Sequence, residues 1–383
     1  MILPEIILRS FINRFQVAGA LVAMLMGLPA QAGLYTYSQL DVGSASPTLR
    51  TVSAGGLVVY EDYMASPYIA RLWNNGQTTY LQPGQGISSQ ALDINAGGVV
   101  AGLSTGYGKT ISATVWAGTT VISLPGLGGN NDIASGINDS GTVVGYGYMP
   151  RPDTTVPRVV KALVWDADGM HELGTLGGTS ATAEAVNNAG IVAGQSQTAS
   201  GEWHATVWAN GSIIDLGTLG GTRSTANDIN DAGWVAGDVL VDAETETWHA
   251  ALWNGTTSVD LGTLGGSVSS GWAIADDGTV LGWSTTADNR ERATIWRNGQ
   301  AIDLNDVVSN PTALQGKELT SAIAADANGA IYGSVYNATT RSYGLYKLTP
   351  ETEHDVPEPG GVGLFAVGLC LLARRALWSP GRT

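Results

Sequence analysis

Six tryptophans, Trp73, Trp116, Trp165, Trp208, Trp253 and Trp296, recur at intervals of 43, 49, 43, 45 and 43 residues. Each ends a similar short apolar phrase, such as Ala113-Thr114-Val115-Trp116 or Ala205-Thr206-Val207-Trp208. A seventh copy, Ser342 to Tyr346, puts Tyr in the Trp position. Marks this regular leave no room for unrelated domains. The chain must fold as one array of β-rich units, each about 40–50 residues long, the period of blade-type repeats.

Within a unit, short apolar runs alternate with turn residues, as in Ala185 to Gly194, His204 to Trp208 and Ile213 to Gly217. This reads as four strands per unit. Asn95, Asn138, Asn187 and Asn230 open the first turn and are followed three residues later by Gly98, Gly141, Gly190 and Gly233. Asn-Gly pairs such as Asn210-Gly211 supply the positive φ that tight hairpins need. Leu173 to Gly178, Leu216 to Gly221 and Leu261 to Gly266 repeat one crossover phrase, and Leu124 to Gly129 is a variant of it. Its glycines would let the chain pass closely from the outer strand of one unit to the inner strand of the next. The tryptophans read as core residues packed between units.

The units number seven, spanning about 51–85, 86–129, 130–178, 179–221, 222–266, 267–308 and 309–349. The last ends after three strands, whereas 34–43 at the other end of the array reads as an isolated fourth strand. Ring closure by that strand removes both problems and hides the sheet edges. The expected fold is therefore an all-β, seven-bladed β-propeller occupying 33–349. Six or eight blades and an open β-solenoid are the competing forms.

Both ends look like addresses. In 1–32, Arg9 and Arg14 precede an apolar stretch from Val17 to Leu28 and the small-x-small pair Ala30 and Ala32. That is the layout of a signal peptide cut by signal peptidase before Gly33. After a linker at 350–355, residues 356–383 carry Pro357-Glu358-Pro359, an apolar run from Gly360 to Ala373, and Arg374-Arg375. This segment resembles the PEP-CTERM sorting signal of Gram-negative bacteria, although eight residues trail the arginine pair. The resemblance implies processing by exosortase, passage through an inner-membrane intermediate, and a cell-surface or matrix destination where exopolysaccharide is made. The apolar run falls short of the ~20 residues a comfortable helical span needs, and a retained tail anchor is the alternative. The repeat body resembles the HAF repeat, a family of extracellular repeats named for a His-Ala-Phe signature. His204-Ala205 and His249-Ala250 keep two of its letters, while other units put Ser112, Lys161 or Arg292 at the His position. That drift argues against a repeated His ligand.

The chain carries 18 basic against 33 acidic residues, a net charge of −15. A body so acidic repels phosphate backbones, which makes nucleic acid a poor partner. Cys370, the single cysteine, excludes disulfides and thiolate metal sites from the repeats. Gly102 to Gly106 formally matches a nucleophile elbow around Ser104, but it falls at the end of a second strand, so no catalytic residue can be named. No cofactor is expected. Asp-rich turns such as Asn227 to Asp231 could collect calcium through oxygen ligands, and turn formation explains them equally well.

Loop length is more informative. From the glycine of the second strand to the residue opening the Trp phrase, the span is 11 residues for Gly102–Ala113, 17 for Gly145–Ala162 and 13 for Gly237–Ala250. Variation therefore gathers in the loops joining second and third strands, all on the crossover face, and function tends to sit on such loops. Tyr146, Tyr148 and Arg151 in the longest, Trp203 in the next unit, and Asp242, Glu244, Glu246 and Trp248 after it form the candidate ligand face. Aromatic rings beside carboxylates and amides suit sugars. The expected role is an exported, non-enzymatic surface or matrix protein that binds exopolysaccharide or another envelope component. The alternative is an extracellular carbohydrate-active hydrolase or lyase.

Overall fold

The computed structural model describes residues 34–351 apart from 63, 66, 154 and 256. The signal segment with Ala30 and Ala32, and the sorting segment with Pro357 to Pro359, Arg374 and Arg375, lie outside the described residues. What is described from Tyr35 onward belongs to one compact unit. It is a β-propeller of seven four-stranded antiparallel sheets. Numbering the blades in chain order, strands run from the innermost first to the outermost fourth. Blade 7 is completed by the strand Tyr35–Leu40, which pairs with Ser342–Pro350 in the register Tyr35 to Pro350 through Leu40 to Leu345. Ring closure by the N-terminal strand is as the sequence indicated.

The closing strand is held on its other side as well. The crossover from blade 6 to blade 7 forms two 3-10 turns, Leu304–Val307 and Pro311–Leu314, that no repeat phrase announced. Between them Asn310 clasps Tyr37, its Oδ1 accepting from Tyr37 N at 2.8 Å and its Nδ2 donating to Tyr37 O at 3.0 Å. Ser309 N donates to Tyr35 O at 2.9 Å. Blade 1 begins at Pro47–Val52, four residues before the expected start at 51. Its first turn, Ser53 to Gly56, lacks the Asn that opens the first turn of blades 2 to 5.

The Trp phrase forms the third strand, as in Ile111–Ala117, Val160–Asp166 and Trp203–Ala209. Trp116, Trp165, Trp208, Trp253 and Trp296 are all buried between sheets. Trp116, Trp165 and Trp208 donate to crossover carbonyls of the preceding blade, Gln82, Pro125 and Gly174, at 2.7–2.9 Å. In blades 5 and 6 the corresponding carbonyls of Gly217 and Gly262 accept from Ser224 Oγ and Ser269 Oγ instead, and the indole N–H groups of Trp253 and Trp296 lack partners. Tyr346 substitutes in blade 7, its hydroxyl donating to Ser321 O at 2.9 Å.

A second seam runs through the first turns. The Nδ2 of Asn95 donates to Asn138 O, that of Asn138 to Asn187 O, that of Asn187 to Asn230 O, and that of Asn230 to Ala275 O, at 3.0–3.1 Å. Each Oδ1 meanwhile accepts a backbone N–H of its own turn, from Val99, Thr142, Ile191 and Trp234. One amide therefore closes a turn and ties it to the next blade. The glycines three residues on, not the asparagines, take the positive φ.

Every innermost strand also carries a bulge at one position, where an extra residue is inserted opposite the second strand. At the same level the second strand needs glycine in blades 2 to 7, while blade 1 has Tyr60 there. A Cβ on Gly102, Gly145, Gly194, Gly237, Gly282 or Gly333 would strike the innermost strand's backbone carbonyl. The extra residues are Arg50, Leu92, Ser135, Glu184, Asn227, Trp272 and Ile323, and they differ in every blade.

Candidate functional site

Two regions of this ring depart from the repeat. The first is the innermost level, where the bulged residues meet side chains from the second strands. Arg50 pairs with buried Glu61 at 2.6 Å, Asn227 Nδ2 donates to Asp238 at 2.9 Å, and Trp272 lies against Trp283 with ring centroids 6.5 Å apart. Burial pushes Glu184 up to about 7, and Asp228 and Asp238 up to about 6. The Asp228 carboxylate also feels Asp93, from a blade across the ring, and Asp276. Asp93 and Asp228 play one structural part, each accepting backbone N–H groups from its own strand and the next blade's. The Asp-rich turns considered as calcium ligands are used in the same way. Among the described residues no three His, Cys, Asp or Glu side chains gather as a metal site.

The second region lies on the crossover face between blades 2 and 3. It is a cleft of about 460 Å³ lined by Lys109, Thr110, Asn130, Asn131, Tyr148, Met149, Arg151 and Arg158, with Gly108, Gly128, Gly129 and Pro150. Its floor is fixed by backbone. Asn130 O accepts from Ile111 N of blade 2 at 2.8 Å, and Asn131 O accepts from Tyr148 N of blade 3 at 3.0 Å. A Cβ on Gly129 would collide with the Tyr148 carbonyl, so the crossover presses directly on the strand beside it. Met149 N donates to Val159 O at 3.0 Å, closing the base of the long loop. The Arg158 guanidinium lies over the Tyr148 ring at 5.0 Å.

No carboxylate lines this cleft. Lys109, Arg151 and Arg158 are exposed, and none makes an ion pair among the described residues. The two nearby acids are directed elsewhere. Asp153 turns back on its own loop, accepting from Thr155 N at 2.8 Å and from Thr155 Oγ1. Asp132 is buried and its acidity is weakened by that burial.

The sequence candidates separate on this frame. Tyr148 and Arg151 line the cleft. Tyr146 sits on the same strand, Val143–Tyr148, and not in the loop; it is enclosed near Glu184, and burial pushes it up to about 12. Trp203 opens the third strand of blade 4. Asp242, Glu244, Glu246 and Trp248 lie in blade 5 and are committed to one another and their neighbours. Asp242 accepts from Glu244 N and Thr245 N, Glu246 pairs with Arg223 at 3.1 Å, and that Arg223 covers Trp248 at 5.4 Å. The two clusters share a face but do not converge. Lys109 and Arg158 were missed because each reads as an ordinary loop residue; the scarcity of cations in this chain was the available signal.

His204 and His249 bind no common centre. Each Nδ1 meets a carboxylate of the adjacent fourth strand, Asp215 or Asp260, at about 3 Å, and Arg292 approaches Asp303 at the same place in blade 6. Ser104 lies within the strand Val100–Thr105, with no strand-to-helix turn.

No family model and no curated protein matches the chain. Solved propellers do. The β-propeller domain of the Trilobed protease from Pyrococcus furiosus aligns over 85% of this chain and 100% of its own, at 12% identity and a TM-score of 0.52. The acylaminoacyl peptidase of Pyrococcus horikoshii aligns over 84% of this chain at 13% identity and a TM-score of 0.51, but over only 54% of its own length. At such identities the likeness concerns the fold alone.

Proposed function

We propose that this propeller is an exported, non-enzymatic binding protein of the cell surface or matrix, taking an extracellular polysaccharide or another envelope component in the cleft between blades 2 and 3. The observation that carries this reading is the cleft itself: backbone-fixed, polar, and built where the longest loop meets the preceding crossover. A preformed cleft avoids much of the ordering cost that flexible loops incur on binding. Amides, a hydroxyl and an aromatic edge are the groups that recognise sugars. Export and sorting through exosortase, with a transient inner-membrane stage, rest on the PEP-CTERM resemblance of residues 356–383.

A hydrolase or lyase is the second reading, favoured by one observation. Glu184 holds its proton to about pH 7, as a general acid would. The side chains that interact with it, Thr182 and Tyr146, are not carboxylates of the kind a glycosidase pair needs. Co-sedimentation of the purified chain with exopolysaccharide, followed by sizing of the polymer, separates the readings. Saturable binding with unchanged polymer length is expected. Shortened polymer makes the protein an enzyme, and absence of binding removes the proposal.

A further inference from the structure

Resting on that binding reading, we infer that the ligand of the cleft is an acidic polysaccharide, held through its carboxylates by Lys109, Arg151 and Arg158. The repeat provides an internal control for this assignment. On this face Arg341, alone in the blade 7 loop, also makes no ion pair among the described residues, but in blades 5 and 6, where several cations gather in the crossovers and loops, carboxylates neutralise them. Arg223 meets Glu246 at 3.1 Å in blade 5; in blade 6, Arg290 meets Asp288 at 2.7 Å and Glu318 at 3.3 Å, and Arg292 meets Glu318 at 2.8 Å. In a chain with 33 acids and 18 bases, chance would place an acid beside a base more readily than leave three bases together without one. The three cations come from two blades, Lys109 from the short loop of blade 2 and the arginines from the long loop of blade 3.

The geometry also selects among anions. Lys109 is held at a positive φ of 65° in the turn where Gly106 N donates to Thr110 O at 2.8 Å and Lys109 N donates to Gly106 O at 3.2 Å, so its placement is set by backbone. The Arg158 guanidinium sits over the Tyr148 ring at 5.0 Å, and its planar fork suits a planar carboxylate bound through two parallel N–H groups. The side chains of Asn130 and Asn131 make no hydrogen bond among the described residues and face the same space, suiting sugar hydroxyls between charges. Double-stranded nucleic acid carries one charge per ~1.7 Å of axis, and the surrounding acidic body opposes so dense a polyanion. A chain with at most one carboxylate per sugar ring meets three cations in one cleft without that opposition.

The test uses the full chain with three probes: polygalacturonate, the same polymer fully methyl-esterified, and polyphosphate. Polygalacturonate should bind, with affinity falling at least tenfold between about 50 and 500 mM salt as the contacts are screened. The esterified polymer should bind at least tenfold more weakly. The Lys109→Gln/Arg151→Gln/Arg158→Gln variant should lose polygalacturonate binding by a similar factor, while Arg223→Gln/Arg290→Gln should not. Equal binding of the free and esterified polymers overturns the carboxylate assignment and leaves the polysaccharide reading standing. Preference for polyphosphate overturns both the carboxylate and the sugar. Undiminished binding by the triple variant moves the site out of this cleft, and no binding of either galacturonan removes the binding reading for acidic glycans.

Discussion

The surface between blades 2 and 3 and its counterparts in blades 5 and 6 share a backbone plan and differ in charge bookkeeping. In each, a glycine-bearing crossover runs beside the end of the following blade's second strand: Tyr148 N donates to Asn131 O, Leu240 N donates to Arg223 O, and a bridge pairs Leu264 with Thr286. In blades 5 and 6 the cations on that frame are matched by Glu246, Asp288 and Glu318. Between blades 2 and 3 they are not. A repeat fold makes this contrast informative, because packing demands are alike at every copy. What differs between copies is then free to serve something other than packing.

If the frame is common, breaking it should cost several kcal/mol at both places, more than any charge change. Trp165→Ala and Trp253→Ala should each destabilise by about 3–5 kcal/mol, measured by chemical denaturation. Trp165→Ala should cost about 1 kcal/mol more, since it also loses the bond to Pro125 O, whereas the Trp253 N–H has none to lose. Equal losses would show that the indole bond adds nothing.

The seam of asparagines comes next. Asn187→Ala should cost about 1–3 kcal/mol, because it leaves the Ile191 N–H of the turn without its acceptor and removes the bond that ties the turn to Asn230 O. Arg223→Gln, which breaks an exposed ion pair and an exposed cation–π contact with Trp248, should cost about 1 kcal/mol or less. A reversed order would mean that surface charge, not the inner seam, holds adjacent blades together.

The pH dependence sharpens the same division. Glu184, Asp228 and Asp238 have acidities weakened by burial, so the folded state keeps protons that the unfolded chain has released. Their stabilising contribution is full below the unfolded values near 4 and is lost as pH rises through about 6 to 7. Thermal unfolding should therefore move down by several degrees between pH 5 and pH 8. Glu184→Gln should flatten part of that slope without altering polymer binding in the cleft, which Glu184 does not line. An unchanged slope in Glu184→Gln would mean that the carboxylate is not shielded.

The smallest expected effect is also the most pointed. Glu246→Gln frees Arg223 beside Trp248 and makes the blade 5 surface resemble the cleft. It should raise affinity for polygalacturonate by about two- to fivefold, read by titration at low salt. No gain would show that unpaired charge alone does not make a site and that the fixed floor between blades 2 and 3 is required.

The ring was legible in the sequence because its determinants repeat. Trp, the first-turn Asn and the crossover glycines recur in register, and the orphan strand at 34–43 had one place to go. The start of blade 1 was less legible because Ser53 stands where blades 2 to 5 have Asn, so Pro47–Val52 carries no flag. Asn310 escaped for the same reason: it occurs once, in a crossover unlike the rest. The cleft was half legible. Loop length pointed to Arg151 and Tyr148, but Lys109 belongs to another blade, and only the ring brings the two loops together. The blade 5 candidates looked equivalent in sequence, and their mutual pairing is a matter of geometry that spacing does not contain.

The central claim is one of place, so the most direct measurement is a residue-resolved footprint of polygalacturonate on the full chain by hydrogen exchange. Protection is expected at the backbone amides of 108–110, 128–131 and 148–158, with blades 5 and 6 unchanged. Protection at 223 and 242–248, or at the inner bulges, would contradict the account.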